Sequence, residues 1–183
     1  MSKLGIQCCK YSKVDENGKY TGPKEAGTLV NYNGSPNKVE AEDWGDNHVV
    51  ESNRSVNKVN LSMELNDLEG EKYAELCGHE YDPETKKVTI KSTDNSPYVG
   101  IGAIGNSERN KKEVYILKFY PKMQFSEPND DNSTGTETKE YKHTTIEGVG
   151  YPDDNNMLKM EQEFDTLEAA EAELDKLLAA AGG

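Results

Sequence analysis

The chain has 183 residues, 34 of them acidic and 21 basic, for a formal net charge of −13. That length suits one domain of ordinary size. The charge argues against a general nucleic-acid binder, which needs a basic surface to neutralise phosphates, and against docking on anionic lipid. Leu, Ile, Val and Phe together number only 32. Either a small core carries long solvated loops, or the subunit buries further surface against copies of itself.

Taken in chain order, residues 5–32 predict two strands around a turn at Asp15-Glu16-Asn17-Gly18, where Asn-Gly is a strong hairpin signal. Residues 31–55 are polar, acidic and interrupted by Gly34, Pro36 and Gly45, and read as a long loop. Residues 56–65 are the clearest strand. Val59, Leu61, Met63 and Leu65 alternate with Lys58, Asn60, Ser62 and Glu64, the pattern of a half-buried strand. A short helix is expected over Leu68–Cys77, with Asp67 as its N-cap and Gly78 as its stop.

Three more strands follow. Lys87–Lys91 alternates around Val88 and Ile90, and Tyr98–Ile104 carries two glycines that suggest a close approach or a bend. Val114–Tyr120 is apolar on nearly both faces and should be central. Residues 126–137 read as a loop, and Thr138–Val149 as a long polar strand. Asp165–Ala181 predicts a helix in which Asp165 and Glu168 form a capping box. Leu167, Ala170, Leu174, Leu177, Leu178 and Ala181 would make its apolar stripe. The expected architecture is mainly β, with one short helix inside the strand order and a second appended after an acidic linker. The division falls into 1–152 and 153–183.

Motifs of chemistry are missing. Cys77 and His79 are two apart, and Cys8-Cys9 are adjacent; neither gives the paired spacing of a zinc site. Three cysteines, two of them neighbours, predict reduced thiols. The acidic turns around Asp130 and Asp153 lack the closing Glu of a calcium loop. Gly100, Gly102 and Gly105 match a dinucleotide spacing, but inside a strand and with no helix opening after it. No catalytic residue, metal or cofactor is assigned, and an enzyme is not expected. Trp44 lies among Glu42, Asp43 and Asp46, either as a contact anchor or folded back on its own domain. No stretch approaches the ~20 apolar residues of a membrane span. The start MSKLGIQCCKYSK has no signal-peptide hydrophobic region, so synthesis and retention in the cytosol are expected.

Three stretches then matter together: SMELNDLEGEKYAELCGHEYD, DNSPYVGIGAIGNSERNKKEVYILKFYPKMQFSEP and KEYKHTTIEGVGYP. Their order, with the opening SKLGIQCCKYSKVDENGKYTGPKEAGTLV and the acidic segment after it, resembles the major tail proteins (tail tube proteins) of long-tailed bacteriophages of Gram-positive bacteria. The resemblance covers roughly residues 3–152; the C-terminal helix is a departure from it. It implies a tail-tube β-sandwich or barrel flanked by a helix, whose subunits form hexameric rings stacked into a hollow tube for DNA passage. The implied partners are further copies of the chain and the tail tip, tape measure and terminator proteins. DNA would be passing cargo, the location the virion tail, and the site of assembly the host cytoplasm. In such tubes the loop after the first hairpin reaches an adjacent subunit or ring. That makes Glu42, Asp43, Trp44 and Asp46 the candidate interface and Glu64 and Glu140 candidates for the lumen. The rival readings are a monomeric β-sandwich binding module and a tube subunit of a related contractile injection or secretion machine.

Overall fold

A computed structural model describes residues 2–45, 48–66, 68–128 and 143–179, with segments 2–4, 39–45 and 48–54 as backbone alone. The described chain is mainly β and antiparallel. Its strands are β1 (Ser2–Lys13), β2 (Lys24–Glu25), β3 (Leu29–Gly45), β4 (His48–Leu65), β5 (Glu80–Asp82), β6 (Lys87–Thr89), β7 (Val99–Arg109), β8 (Lys112–Ser126), β9 (Thr144–Gly150) and β10 (Met160–Phe164). Helix α1 is Gly70–Cys77 and α2 is Leu167–Leu178. The main sheet runs β2-β1-β7-β8-β9-β4-β3, with β10 also on β8, while β5 and β6 form a separate ribbon.

The first turn forms where Asn17-Gly18 predicts it. Asp15 Oδ1 accepts from the backbone N–H groups of Asn17 and Lys19 at 2.9 and 2.8 Å, and Gly18 takes φ 75°. Such an Asx turn supplies locally the hydrogen bonds that a ladder cannot reach. On β4 the alternation holds: Val59, Leu61, Met63 and Leu65 are all buried. They meet Cys9 and Tyr11 of β1, Val99, Ile101 and Ala103 of β7, and Tyr120, Met123 and Phe125 of β8 in one core. The sheet therefore curls over, with its inner face enclosing that core. Helix α1 closes one end through Leu76 and Cys77.

β8 is central, as its apolar character suggests, and its length lets it serve both halves of the curled sheet. Residues Tyr115–Phe119 pair with β10, and Met123–Ser126 pair with β9. Between these runs the register against β7 slips, Tyr120 facing Ile101 and Met123 facing Val99. Pro121 sits in the slip. It has no N–H to give a ladder, so a bulge here costs little and turns the strand. Tyr20 Oη donates to the Pro121 carbonyl at 2.8 Å, and its ring occupies the space that a side chain at Gly100 would need.

The C-terminal segment is integrated with the sheet and not merely appended to it. The stretch expected as an acidic linker contains β10, which runs antiparallel to β8 from Met160↔Phe119 to Phe164↔Tyr115. Helix α2 then lies across the outer face of the sheet. Ala170, Leu174 and Leu178 are fully buried against Ile104, Leu117 and Phe119. Gly102 makes this seat, since a Cβ there would stand 2.3 Å from Leu174 Cδ1. Burying each leucine contributes roughly 1.5–3 kcal/mol. The helix cap also differs from expectation. Thr166 is the N-cap, its side chain accepting from the Ala169 N–H at 3.3 Å, so the helix begins two residues after Asp165.

Other boundaries move too. Helix α1 starts at Gly70, with Glu69 at the N-cap position making no side-chain cap bond; the expected cap, Asp67, falls outside the described residues. Gly78 ends the helix as expected, in the left-handed region at φ 79°. β7 runs on to Arg109, well past the expected Ile104, because β1 and β8 flank it along its length.

Candidate functional site

The segment expected as a loop over 31–55 is instead the paired outer part of a β-hairpin. β3 and β4 stay paired antiparallel from Leu29↔Leu65 out to Gly45↔His48, with register shifts after Leu29, Asn37 and Asp43. The breakers are absorbed at an edge. Gly34 faces Leu61 and admits the Tyr120 hydroxyl, which a Cβ would meet at 2.4 Å, and Pro36 faces Val59. Since β3 ends the sheet, a proline there costs no inward hydrogen bond. The pairing of β4 with β9 stops at Val59↔Gly150. Beyond it, residues 37–45 and 48–58 form a two-stranded ribbon. At ~3.3 Å per residue, eight residues from Lys38 to Gly45 project roughly 25–30 Å. Glu42, Asp43 and Trp44 lie near its tip, Trp44 pairing with Val49. Asp46 lies outside the described residues.

The outer face of β3, β4 and β9 is polar, and its rows follow from register. Asn31, Glu64 and Thr145 align, as do Asn33, Ser62 and Glu147, and then Ser35, Asn60 and Val149. The helices pack elsewhere, α1 on the core and α2 on the opposite part of the sheet. Glu64 thus stands where the alternation places it. Glu147, which is exposed, joins it on this face; sequence reasoning missed Glu147, although Ile146 at the neighbouring inward position was the signal. The other candidate, Glu140, lies outside the described residues. Among these three rows there are two carboxylates and no cation.

The two ends of the curled sheet approach each other without pairing. Between β1 and β3 lies a cleft of about 350 Å³ lined by Ile6, Tyr32, Ile116, Lys118, Tyr120 and Lys159 among others. Lys118 Nζ lies 5.5 Å from the Tyr32 ring centre and Lys159 Nζ 5.9 Å from that of Tyr120. Both lysines pair with Glu161. The Lys159 hydrogen bond, with Lys118 adding charge, holds the Glu161 carboxyl below its ordinary range. Burial pushes the Tyr32 phenol up to about 12.

A second polar cluster ties α1 to the sheet. Tyr11 Oη donates to Glu75 Oε2 at 2.6 Å, and Lys24 Nζ bonds Glu75 Oε1 at 2.7 Å. Burial alone would raise the Glu75 carboxyl, but the hydrogen bonds from Lys24 and Tyr11 outweigh it and leave the group lowered from 4.5. A lowered folded-state value means that Glu75 stabilises the fold above its unfolded value. That contribution is lost as pH falls through about 4.5 and below. Thermal melts should therefore show Glu75→Gln less stable than wild type at pH 6–7 by about 1.5–3 kcal/mol, the worth of hydrogen bonds to a charged group. The two curves should converge in acid. A gap that stays constant down to pH 3 would refute this role.

His79 and Cys77 are structural in their surroundings. His79 Nδ1 lies 2.9 Å from Asp94 Oδ2, and Cys77 Sγ lies 3.7 Å from the Ser126 carbonyl. Burial pushes the Cys77 thiol up to about 11 and Cys9 up to about 12. All three cysteines are free. Among the described residues no group of three His, Cys, Asp or Glu side chains converges as a metal site would require. No described helix is long and apolar enough to cross a membrane. No protein-family model matches the chain, and no curated protein matches it significantly.

Proposed function

We propose that this chain is a structural subunit of a phage tail tube, polymerising as stacked hexameric rings around a conduit for DNA. The observation that carries this reading is the projecting ribbon of residues 37–45 and 48–58. A two-stranded ribbon alone is marginally stable in water, and a long unpaired edge strand is a template for another chain. Among the described residues β3 offers such an edge along 17 residues. A partner that covers both would supply the burial that 32 large aliphatic and Phe residues provide sparingly. The polar face with Glu64 and Glu147 supports the same reading. DNA is held where its phosphates are neutralised, and the three rows that carry Glu64 and Glu147 hold no cation that would do so. The mainly antiparallel sheet flanked by helices is compatible with the tail-tube architecture that the sequence resembles.

Negative-stain electron microscopy of the purified protein across a concentration series tests the proposal. Hollow tubes or six-fold rings are the expected result. A monomer at every concentration, also in the presence of assembled tail tips, would overturn it in favour of a monomeric binding module using the cleft between β1 and β3.

A further inference from the structure

The cleft between β1 and β3 has a floor that strand register defines. Alternation on β8 puts Ile116 and Lys118 on the face of the core residue Tyr120, while Leu117 and Phe119 face α2. Ile6, Gly105 and Ile116 align across β1, β7 and β8, an apolar row with a hollow at the glycine. The next row, Ala103, Lys118 and Glu161, crosses β7, β8 and β10 and ends in charge. Tyr32 and Gly34 of β3 line the other side. The cleft is therefore apolar along one row and ionic along the next.

The ionic row is not balanced. Two lysines share one carboxylate: Glu161 bonds Lys159 closely and stands 3.4 Å from Lys118. Among the described residues neither lysine has a second acidic partner. The Lys118 side chain is 18 % exposed, against 48 % for Glu161. Water thus screens Lys118 little, and an anion beside it gains more than it would on an open surface. The carboxylate of Glu161 has room to turn outward as such an anion enters.

We infer that this cleft binds a small monocarboxylate with an apolar body. The carboxylate sits between Lys118 and Lys159, and the body lies along Ile6, Gly105 and Ile116. Charge selects the head group. The excess of one ammonium over one carboxylate matches a monoanion, whereas a phosphate group brings about −1.5 to −2. The apolar row selects the body, since covering it removes Ile6 and Ile116 from water and a bare inorganic ion leaves them wet. A volume of about 350 Å³ lies at the small end of ligand sites. The cleft is built within one subunit, so the inference stands apart from the self-assembly proposed above.

Saturation-transfer NMR on the dilute full-length protein tests the inference, with hexanoate as the probe and hexanol, hexylammonium and inorganic phosphate as comparisons. Hexanoate should bind with a dissociation constant on the order of 1 mM, an ordinary efficiency for so small a ligand. The three comparisons should each bind about tenfold more weakly or worse. Lys118→Met should weaken hexanoate about tenfold and leave hexanol unchanged, because it removes the charge and keeps the apolar bulk. Lys159→Gln, at the more exposed lysine, should weaken hexanoate in the same sense and serves if the first variant does not fold. Glu161→Gln should tighten hexanoate several-fold, since it removes the internal competitor; a purely structural ion pair gives no such gain. Hexanol binding as well as hexanoate would reduce the cleft to an apolar crevice and overturn the inference. Phosphate binding as well as hexanoate would remove the apolar row from recognition and overturn it too. Hexanoate affinity untouched by both lysine variants, or no transfer to hexanoate well above the expected constant, would do the same. None of these results bears on whether the chain forms tubes.

Discussion

Replacing residues 37–58 by an Asn-Gly turn should yield a folded protein that no longer assembles. Pro36 and Val59 are directly opposed in the ladder, so a two-residue turn can join them without changing register. Among the described residues the core loses nothing by the excision. Its contributions from β4 begin at Val59, and those from β3 end at the Gly34 contact with Tyr120. The melting temperature should stay within a few degrees of wild type, a change of about 1 kcal/mol or less. Assembly should fall from tubes to monomer, because the ribbon carries the acidic tip and much of the β3 edge. Electron microscopy and calorimetry on the same preparation measure both halves. Tubes of normal appearance from the excised protein would remove the ribbon from the assembly mechanism. A large fall in melting temperature would show that the ribbon stabilises its own subunit.

Truncation after Asp154 should do the reverse and destroy the monomer. It removes β10, uncovering the β8 edge from Tyr115 to Phe119, and it removes α2 from Ile104, Leu117 and Phe119. Fully buried leucines at 174 and 178 would leave together with Ala170. A single Leu174→Ala change should already cost about 2–5 kcal/mol, the range for emptying a leucine site in a core. Against a typical total stability of roughly 5–15 kcal/mol, the truncation is expected to leave no cooperative melt. Urea titration followed by far-ultraviolet circular dichroism can measure Leu174→Ala directly. Unchanged midpoints for both variants would mean that α2 only rests on the sheet.

Some of this was legible in the chain alone. The period-two pattern of residues 56–65, the Asn17-Gly18 turn, the Gly78 stop and the apolar run at 114–120 each depend on neighbours close in sequence. Local backbone preference and alternation are enough to place them. Glu64 was legible for the same reason, because a strand with one buried face must present the other. The second carboxylate of that face, Glu147, needed only the same alternation applied to β9.

The ribbon shows the limit from the other side. Asn, Gly and Pro at 31–37 satisfy every local criterion for a loop. Edge position overrides those local preferences: β3 needs partners on one side only, and Pro36 and Gly34 then fit opposite Val59 and Leu61. β10 was missed because Met160–Phe164 has three polar residues between two apolar ones, and it forms a strand by completing the edge of β8. Helix α2 was predicted from its own stripe, but where that stripe lands was not. Gly102, more than 70 residues away in the chain, provides the hollow for Leu174. The sequence by itself determined the elements whose period and caps are local. Strand partners, the corner at Pro121 and the seat of α2 were decided by the tertiary structure, because each depends on which backbone edge or apolar face is left to be covered once the others have paired.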